Sequence, residues 1–361
     1  MKAATHPEHP PETIDRSRRR LLGATAAALA FAEFGRIGVA RAETGAPADG
    51  SIPRPVPRPV PRPMPGTLKQ VEAGMLDVGY AEAGPADGPA VILLHGWPYD
   101  IHAFAEVVPI LAAAGHRVIV PHLRGYGTTR FLATDAVRNG EQAALAVDVI
   151  ALMDALGIPR AVLGGFDWGA RTACIVAALW PDRCRALVSV SGYLIGSQEA
   201  GKAPLPPRAE LSWWYQFYFA TSRGRAGYEA YRDAFARLIW QSASPRWAFD
   251  DATFARSAQS FDNPDHVGIV VHNYRWQLGL AEGERRYEAL EDRLARAPEI
   301  AVPTITLEGD ANGAPHPEPA TYAGKFTGRY AHRPITGGIG HNLPQEAPHA
   351  FAQAVIDAAS A

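Results

Sequence analysis

From residue 68 onward, apolar and polar residues recur with two different periods. Leu68 to Ala83 alternates at every second residue, which predicts an antiparallel edge hairpin. The later apolar segments are short and continuous, and such runs are typical of strands buried on both faces of a parallel sheet. We predict these strands at Ala90 to Leu94, Arg117 to Val120, Ala161 to Gly164, Ala186 to Val190, Pro303 to Leu307 and Ala331 to Ile335.

Segments with helical spacing separate these strands. They lie at Ala103 to Ala114, Glu141 to Leu156, Arg171 to Trp180, Pro319 to Phe326 and Glu346 to Ala358. Strands that alternate with helices in this way indicate an α/β fold with a doubly wound, mostly parallel sheet. Between residues 193 and 298 aromatic and Arg-rich helical segments replace the alternation, which predicts an inserted helical lid. The sheet domain then has two parts, residues 68–192 and 299–361.

The first 42 residues differ from the rest of the chain. Ser17-Arg18-Arg19-Arg20-Leu21-Leu22 precedes an alanine-rich apolar run, and Ala40-Arg41-Ala42 supplies a small-x-small cleavage site. This segment resembles a twin-arginine signal peptide, which implies the twin-arginine export machinery as a partner and a periplasmic or secreted protein. Residues 43–67 contain repeats of PRPV, which adopt polyproline II and cannot pack a core, so we predict a semi-rigid linker there.

Composition limits the partners of the remaining chain. A hydrophobic content of 47% is ordinary for a globular protein, and a net charge of −2 gives no basic surface for nucleic acid. No apolar run of about 18 residues follows the signal peptide, so we expect no stable membrane insertion. We therefore expect a small apolar molecule as the substrate. Cys174 and Cys184 fit no metal spacing, and we predict two buried free thiols rather than a disulfide.

The strand predicted at Ala161 to Gly164 leads into the motif Gly165-Phe166-Asp167-Trp168-Gly169. The motif has the form of a nucleophile elbow, Gly-x-Ser-x-Gly, with aspartate in place of serine, and its two glycines relieve crowding in the turn. An aspartate that attacks a saturated carbon forms an ester, which water can cleave. Asp167 therefore favours epoxides or alkyl halides over esters as substrates. The alternative is that Asp167 only caps the next helix.

Other strand ends carry groups suited to the same reaction, because the reactive groups of an open α/β sheet lie at the carboxyl ends of its strands. His95-Gly96-Trp97-Pro98 can direct a backbone N–H toward the elbow. The N–H groups of Trp97 and Trp168 would then form an oxyanion hole.

The two remaining strand ends supply an acid and a base. Asp310 follows the penultimate strand and His341 follows the last, which gives the hydrolase order of nucleophile, acid and histidine. Glu308, two residues earlier, is a rival for the acid.

Taken together, these motifs resemble the α/β-hydrolase superfamily over residues 68 to 361, in the branch of epoxide hydrolases and haloalkane dehalogenases that uses an aspartate nucleophile. The matching motifs are HGWP, RGYG, GFDWGA, the acid after the penultimate strand and GH before the last helix. Epoxide hydrolases of this kind carry two lid tyrosines that protonate the epoxide oxygen. Their motifs match Tyr215-Gln216-Phe217-Tyr218-Phe219 and Asn273-Tyr274-Arg275-Trp276, which implies Tyr215 and Tyr274 as the pair, with Tyr218 as a substitute.

The chain is most like the epoxide hydrolases. The resemblance implies conversion of an epoxide to a vicinal diol through a covalent alkyl ester on Asp167, with an Asp-His-Asp triad and no metal or other cofactor. It also implies that Trp97, Trp168, Phe166 and Tyr218 contact the substrate, although epoxide hydrolases often have histidine where this chain has Phe166.

Two alternatives remain open. A haloalkane or haloacid dehalogenase would use the same nucleophile, with Trp168 and a lid tryptophan as halide donors. Arg171 lies where fluoroacetate dehalogenases have a carboxylate-binding arginine, but Trp168 replaces their preceding arginine. The second alternative is a non-catalytic protein that binds a small apolar ligand on the same fold. Release of halide or formation of a diol would separate the two enzymes.

Overall fold

The computed structural model describes residues 64–360. The signal peptide predicted at residues 1–42 and nearly all of the linker predicted at 43–67 lie outside the described residues. Within the described part, nine strands form one sheet in the order β1-β2-β4-β3-β6-β7-β8-β9, with β5 beside β2. The strands are β1 (Thr67–Ala73), β2 (Leu76–Ala83), β3 (Ala90–Leu94), β4 (Arg117–Pro121), β5 (Arg130–Phe131), β6 (Ala161–Gly165), β7 (Cys184–Val190), β8 (Thr304–Gly309) and β9 (Tyr330–Ile335).

The direction of the strands confirms the predicted fold class. β1 pairs antiparallel with β2, and β2 pairs antiparallel with β4, so the predicted hairpin lies at one edge of the sheet. The strands from β4 to β9 pair in parallel along the order of the sheet. The short β5 was not predicted, because two residues carry no periodic signal.

Helices follow most of the parallel strands, and a long helical insertion separates β7 from β8. Around the sheet lie α1 (Val107–Ala113), α2 (Gln142–Ala155), α3 (Trp168–Leu179), α12 (Pro319–Tyr322), α13 (Leu343–Glu346) and α14 (Pro348–Ala359). The insertion contains α4 (Gln198–Gly201), α5 (Pro207–Ser212), α6 (Trp214–Phe219), α7 (Ser222–Ala230), α8 (Arg232–Ala243), α9 (Asp251–Ala258), α10 (His266–Gln277) and α11 (Glu288–Leu294). Single 3-10 turns lie at Ile101–Phe104, Pro181–Arg183, Gln259–Asp262, Arg285–Tyr287 and Ala323–Lys325.

Proline explains where two predicted helices differ from the observed ones. The helix predicted at Ala103 to Ala114 is a 3-10 turn followed by α1, because Pro109 lacks an N–H and is tolerated only in the first turn of a helix. The helix predicted from Glu346 instead begins at Pro348, since proline favours the first helical position, and the short α13 precedes it. None of the helices in residues 64–360 is long and apolar enough to cross a membrane.

The sheet is covered on both faces, which places β3 and β6 in the core. A Cβ at Gly164 would contact Phe351 of α14, whereas a Cβ at Gly165 would collide with Gly169 of α3. Because successive residues of a strand point to opposite faces, α14 and α3 lie on opposite sides of the sheet. Cys174 and Cys184 are buried free thiols in this core, as predicted.

Candidate active site

The turn from β6 to α3 holds Asp167 in a strained backbone conformation. Asp167 has φ 53° and ψ −126°, a region that non-glycine residues rarely occupy. The turn is so tight that a Cβ at Gly169 would collide with the carbonyl group of Leu94. Asp167 makes no side-chain capping bond to α3. The elbow therefore presents the carboxylate instead of using it as a helix cap.

Backbone N–H groups hold one oxygen of this carboxylate. The N–H of Trp97 donates to Asp167 Oδ1 over 2.8 Å, and the neighbouring backbone N–H of Trp168 also lowers the pKa of the carboxylate. A Cβ at Gly96 would collide with the Asp167 side chain, so glycine permits this close approach. These two donors occupy the positions expected of an oxyanion hole.

His341 faces the other oxygen of the Asp167 carboxylate. Its Nε2 lies 3.5 Å from Asp167 Oδ2, and its ring is buried. Burial raises the pKa of Asp167, but the hydrogen bond and charge of His341 and the two backbone N–H groups outweigh burial and lower the pKa below its usual value. Asp167 is therefore ionised at neutral pH.

The predicted contact between Asp310 and His341 is absent, and that assignment is corrected here. Asp310 is exposed, and its carboxylate accepts N–H bonds from Gly337, Gly338 and Ile339 over 3.1, 2.8 and 2.9 Å. Desolvation raises the pKa of Asp310, but these three bonds together outweigh it and lower the pKa below its usual value. Asp310 therefore shapes the loop before His341 from its outer side. The imidazole Nδ1 of His341 is buried and has no hydrogen-bond partner among the described residues.

Glu308 does not take the place of Asp310. Its Oε1 accepts a hydrogen bond from Asn312 Nδ2 over 2.8 Å, and its Oε2 is buried without a hydrogen-bond partner in the described part of the chain. No hydrogen bond joins either Glu308 or Asp310 to His341 within residues 64–360. The sequence order of acid and histidine therefore does not identify the group that orients this imidazole.

Instead, a carboxylate that the sequence analysis missed braces the His341 loop. Glu346 accepts the Ser244 hydroxyl over 2.6 Å and the Gly340 N–H over 2.7 Å. Ser244 Oγ in turn accepts the N–H groups of His341 and Asn342. Burial raises the pKa of Glu346, while these donors and the nearby His341 oppose the rise. Since Ser244 follows α8, the lid insertion fixes the position of the histidine.

Two lid tyrosines line the same cavity as Asp167 and His341. The rings of Tyr215 and Tyr274 lie 5.3 Å apart, and Trp97 contacts both, at 5.2 and 5.1 Å between ring centroids. Burial and the charge of Asp167 raise the pKa of Tyr215, and the neighbouring Tyr274 and Arg171 partly oppose this rise. Burial likewise raises the pKa of Tyr274. Both phenols are therefore protonated donors at neutral pH.

Two other residues expected to contact the substrate lie away from the cavity, so those expectations are corrected. Phe166 is fully buried between Tyr99 and Phe104, because the elbow turns its side chain into the core. Tyr218 stacks on Phe235 at 5.8 Å, and neither Phe166 nor Tyr218 lines the cavity. Of the two tyrosines in the first lid motif, Tyr215 lines the cavity and Tyr218 does not.

A buried chain of hydrogen bonds connects Trp97 to the lid. Trp97 Nε1 donates to the Tyr228 hydroxyl over 2.9 Å, and this hydroxyl lies 2.8 Å from His266 Nε2. His266 Nδ1 lies 2.9 Å from the carbonyl oxygen of Gly125. Burial lowers the pKa of His266 to about 3, so the ring is neutral. Its Nδ1–H then donates to Gly125, and its Nε2 accepts the Tyr228 O–H. Each such bond stabilises the fold by about 1 kcal/mol.

We expect the titration of His266 to destabilise the fold as the pH falls from about 6.5 toward 3. Its pKa is about 3 in the fold, whereas an unfolded histidine titrates near pH 6.5. Between these values the unfolded chain binds more protons, so the free energy of unfolding decreases by up to about 1.4 kcal/mol for each pH unit lost. Urea unfolding measures the free energy of unfolding from pH 7 to pH 4. This free energy should decrease less steeply in His266→Gln than in wild type. The exposed control His349→Gln should show the same decrease as wild type. Equal slopes for wild type and His266→Gln would contradict this prediction.

These groups converge on one cavity of about 880 Å³. Its lining includes Trp97, Gln142, Asp167, Trp168, Arg171, Tyr215, Tyr274 and His341. The side chain of Arg171 makes one long contact, 3.5 Å to Asn273 Oδ1, and forms no ion pair among the described residues. No group of three or more metal-binding side chains lies together in residues 64–360. The lining thus combines an ionised carboxylate, an imidazole and two phenols.

Comparison with known proteins defines the class of this protein. Residues 89–270, about half of the chain, match the model of the family described as alpha/beta hydrolase fold. The chain therefore belongs to the α/β-hydrolase fold family. The observed sheet and strand order agree with this membership.

Several relatives of this chain are named epoxide hydrolases. Epoxide hydrolase B of Mycobacterium tuberculosis is 36% identical over 150 residues, which cover 38% of this chain and 41% of that protein. The alignment thus spans less than half of that curated relative. A crystal structure of a candidate epoxide hydrolase from Klebsiella pneumoniae is 62% identical and covers 81% of this chain and 97% of that one, with a TM-score of 0.81. A structure from Pseudomonas aeruginosa at 23% identity and a TM-score of 0.69 shows the shared fold alone.

Proposed function

We propose that this protein is an epoxide hydrolase that forms a covalent ester on Asp167. One observation carries the proposal: Asp167 shares a cavity with the base His341 and with the two lid phenols of Tyr215 and Tyr274. An epoxide opens to an alkoxide, which needs a proton, and a phenol can supply it. The relatives named epoxide hydrolases support the same activity.

The first step would form the ester. Asp167 Oδ2 attacks one epoxide carbon, and the bond from that carbon to the ring oxygen breaks. The ring oxygen takes a proton from Tyr215 or Tyr274, whose raised pKa values keep both phenols protonated beforehand. Asp167 Oδ1 stays against the Trp97 N–H and becomes the carbonyl oxygen of the ester.

The second step would cleave the ester. His341 Nε2 removes a proton from water, and the water oxygen attacks Cγ of Asp167. Negative charge develops on Oδ1, where the Trp97 N–H already donates and the backbone N–H of Trp168 is close enough to favour the charge. When the tetrahedral intermediate collapses, the bond between Cγ and the alkyl oxygen breaks and the diol leaves with the proton from His341. The second proton of the water passes from the new Asp167 carboxyl group through solvent to the phenolate left by the first step, which restores both the Asp167 carboxylate and the phenol without a cofactor.

Removal of both phenols should slow epoxide opening. We expect Tyr215→Phe, Tyr274→Phe to lower kcat/KM for styrene oxide by about 10²- to 10⁴-fold, the range of general acid catalysis. Each single variant should lose less, since one phenol remains. Diol formation is the measurement, and Tyr218→Phe is the matched control, because Tyr218 does not line the cavity. Wild-type turnover by the double variant would refute the role of these tyrosines.

The dehalogenase alternative receives less support from the indoles near the nucleophile. A halide would need free N–H donors, but Trp97 Nε1 donates to Tyr228, and the Trp168 ring packs against Tyr274 at 5.8 Å between centroids. Arg171 in the cavity wall is the feature that favours a haloacid, since a guanidinium can bind a carboxylate. Assay of halide release from chloroalkanes and fluoroacetate, beside diol release from epoxides, decides between these activities.

We also propose that the protein is exported by the twin-arginine route to the periplasm or beyond. The support is the sequence Ser17-Arg18-Arg19-Arg20-Leu21-Leu22 with its apolar run and cleavage site. The substrate would then be met outside the cytoplasm.

A further inference from the structure

Several large apolar side chains are exposed at the mouth of the catalytic cavity. Nine such side chains are exposed in residues 64–360, and four of them also line this cavity. The four are Leu205, Leu211, Phe217 and Leu280, with exposed fractions of 39%, 73%, 45% and 49%. A side chain that both lines a cavity and faces solvent lies at its opening. These four residues are called the apolar mouth.

The charged residues at the same rim form contacts with residues close to them in the chain. Lys202 Nζ lies 3.1 Å from Glu199 Oε2, and Glu210 Oε1 accepts the Leu205 N–H over 2.7 Å. Single exposed apolar residues need no explanation, but several around one opening are typical of a surface that contacts a ligand. The rim therefore offers an approaching molecule mainly apolar surface.

The cavity is polar at its base and apolar at its mouth. Its base carries polar groups from Asp167, His341, Tyr215 and Tyr274, whereas its mouth carries leucine and phenylalanine. Its volume of about 880 Å³ is near the upper end of the roughly 300–1,000 Å³ of small-molecule sites. A molecule with one polar reactive end and a long apolar tail matches both the polarity and the size.

We propose that the apolar mouth binds the unbranched alkyl tail of a terminal epoxide. The oxirane reaches Asp167, and the tail runs outward along Leu211 and Phe217. This inference rests on the proposed epoxide hydrolase function and names a substrate class for it, the long-chain 1,2-epoxyalkanes. Removing one methylene from water favours binding about two- to fourfold, depending on how completely it is buried.

A homologous series of substrates tests this subsite. We expect kcat/KM to rise at least tenfold from 1,2-epoxybutane to 1,2-epoxyoctane, each assayed below its solubility limit, because four methylenes are added. Leu211→Ser combined with Phe217→Ser should lower the ratio of octane to butane epoxide at least threefold. The matched control is Leu238→Ser, since Leu238 is exposed to a similar extent but does not line the cavity, and it should leave the ratio unchanged.

The possible results separate this inference from the proposed function. If no epoxide of the series is hydrolysed, the proposed function itself fails. If all are hydrolysed with similar kcat/KM, the function stands and the tail subsite is refuted. A flat series together with dimers that Leu211→Ser dissociates, measured by light scattering, would assign the apolar mouth to a second copy of the chain and would also overturn the inference.

Discussion

Replacing Asp167 with asparagine is expected to abolish epoxide turnover, with kcat reduced by about 10³-fold or more. The amide has the shape of the carboxylate, and its oxygen can still accept the Trp97 N–H that holds Oδ1. It lacks the negative charge and the free lone pair that attack the epoxide carbon, so no ester forms. Diol release and intact-protein mass measure the result, and the variant should show neither product nor adduct.

Asp310→Asn is the matched control for this prediction. It makes the same chemical change at an exposed carboxylate that bonds to Gly337, Gly338 and Ile339, without contact to His341. The amide oxygen can retain part of these bonds, so we expect a loss of less than about tenfold, since the direct contacts of Asp167 and His341 remain. Equal losses in the two variants would contradict the placement of Asp310 outside the reacting groups. Matching far-UV circular dichroism spectra would show that both variants fold.

The sequence predicted the features that local constraints determine. The apolar run before Gly165 and the small residues around Asp167 permit only a buried strand and a sharp turn, and the structure has both. The parallel order of the sheet then places the ends of β3 and β6 side by side, so the Trp97 N–H meets the carboxylate. These are short-range consequences of backbone sterics and of strand pairing.

The side-chain contacts around the candidate site could not be predicted from local sequence patterns. The position of Asp310 in the chain fits a triad acid, yet its carboxylate turns outward because three consecutive N–H groups of a glycine-rich loop bind it. Glu346 and Ser244 form a hydrogen bond although they are 102 residues apart in the sequence, and no local sequence pattern predicts such a contact. The link from Trp97 through Tyr228 to His266 joins residues that are 131 and 38 positions apart in the sequence. Glu346 does stand close after His341 in sequence, which is the signal that could have suggested it.

The lid holds His341 but not Asp167, so the two proposed chemical steps can be tested separately. Ser244 and Glu346 hold the backbone of the histidine loop, whereas the nucleophile is held by the elbow and by the Trp97 N–H. In the proposed mechanism, a change at position 341 therefore leaves the first step with Asp167 and the two phenols. Only the activation of water loses its base.

His341→Gln should accordingly trap the ester. We expect one equivalent of epoxide to be consumed in a burst, followed by turnover about 10²- to 10⁴-fold slower than wild type, the usual contribution of a general base. Mass spectrometry of the peptide that contains Asp167 measures the adduct. An opened epoxide loses no atoms, so the peptide should gain the full mass of the epoxide, whereas an alkyl halide would leave an adduct without its halogen. Gln345→Asn, in the short helix α13 that follows the histidine loop, is the control and should accumulate no adduct. If His341→Gln is inactive and unmodified, His341 is needed before ester formation, and the division of the mechanism between elbow and histidine loop is wrong.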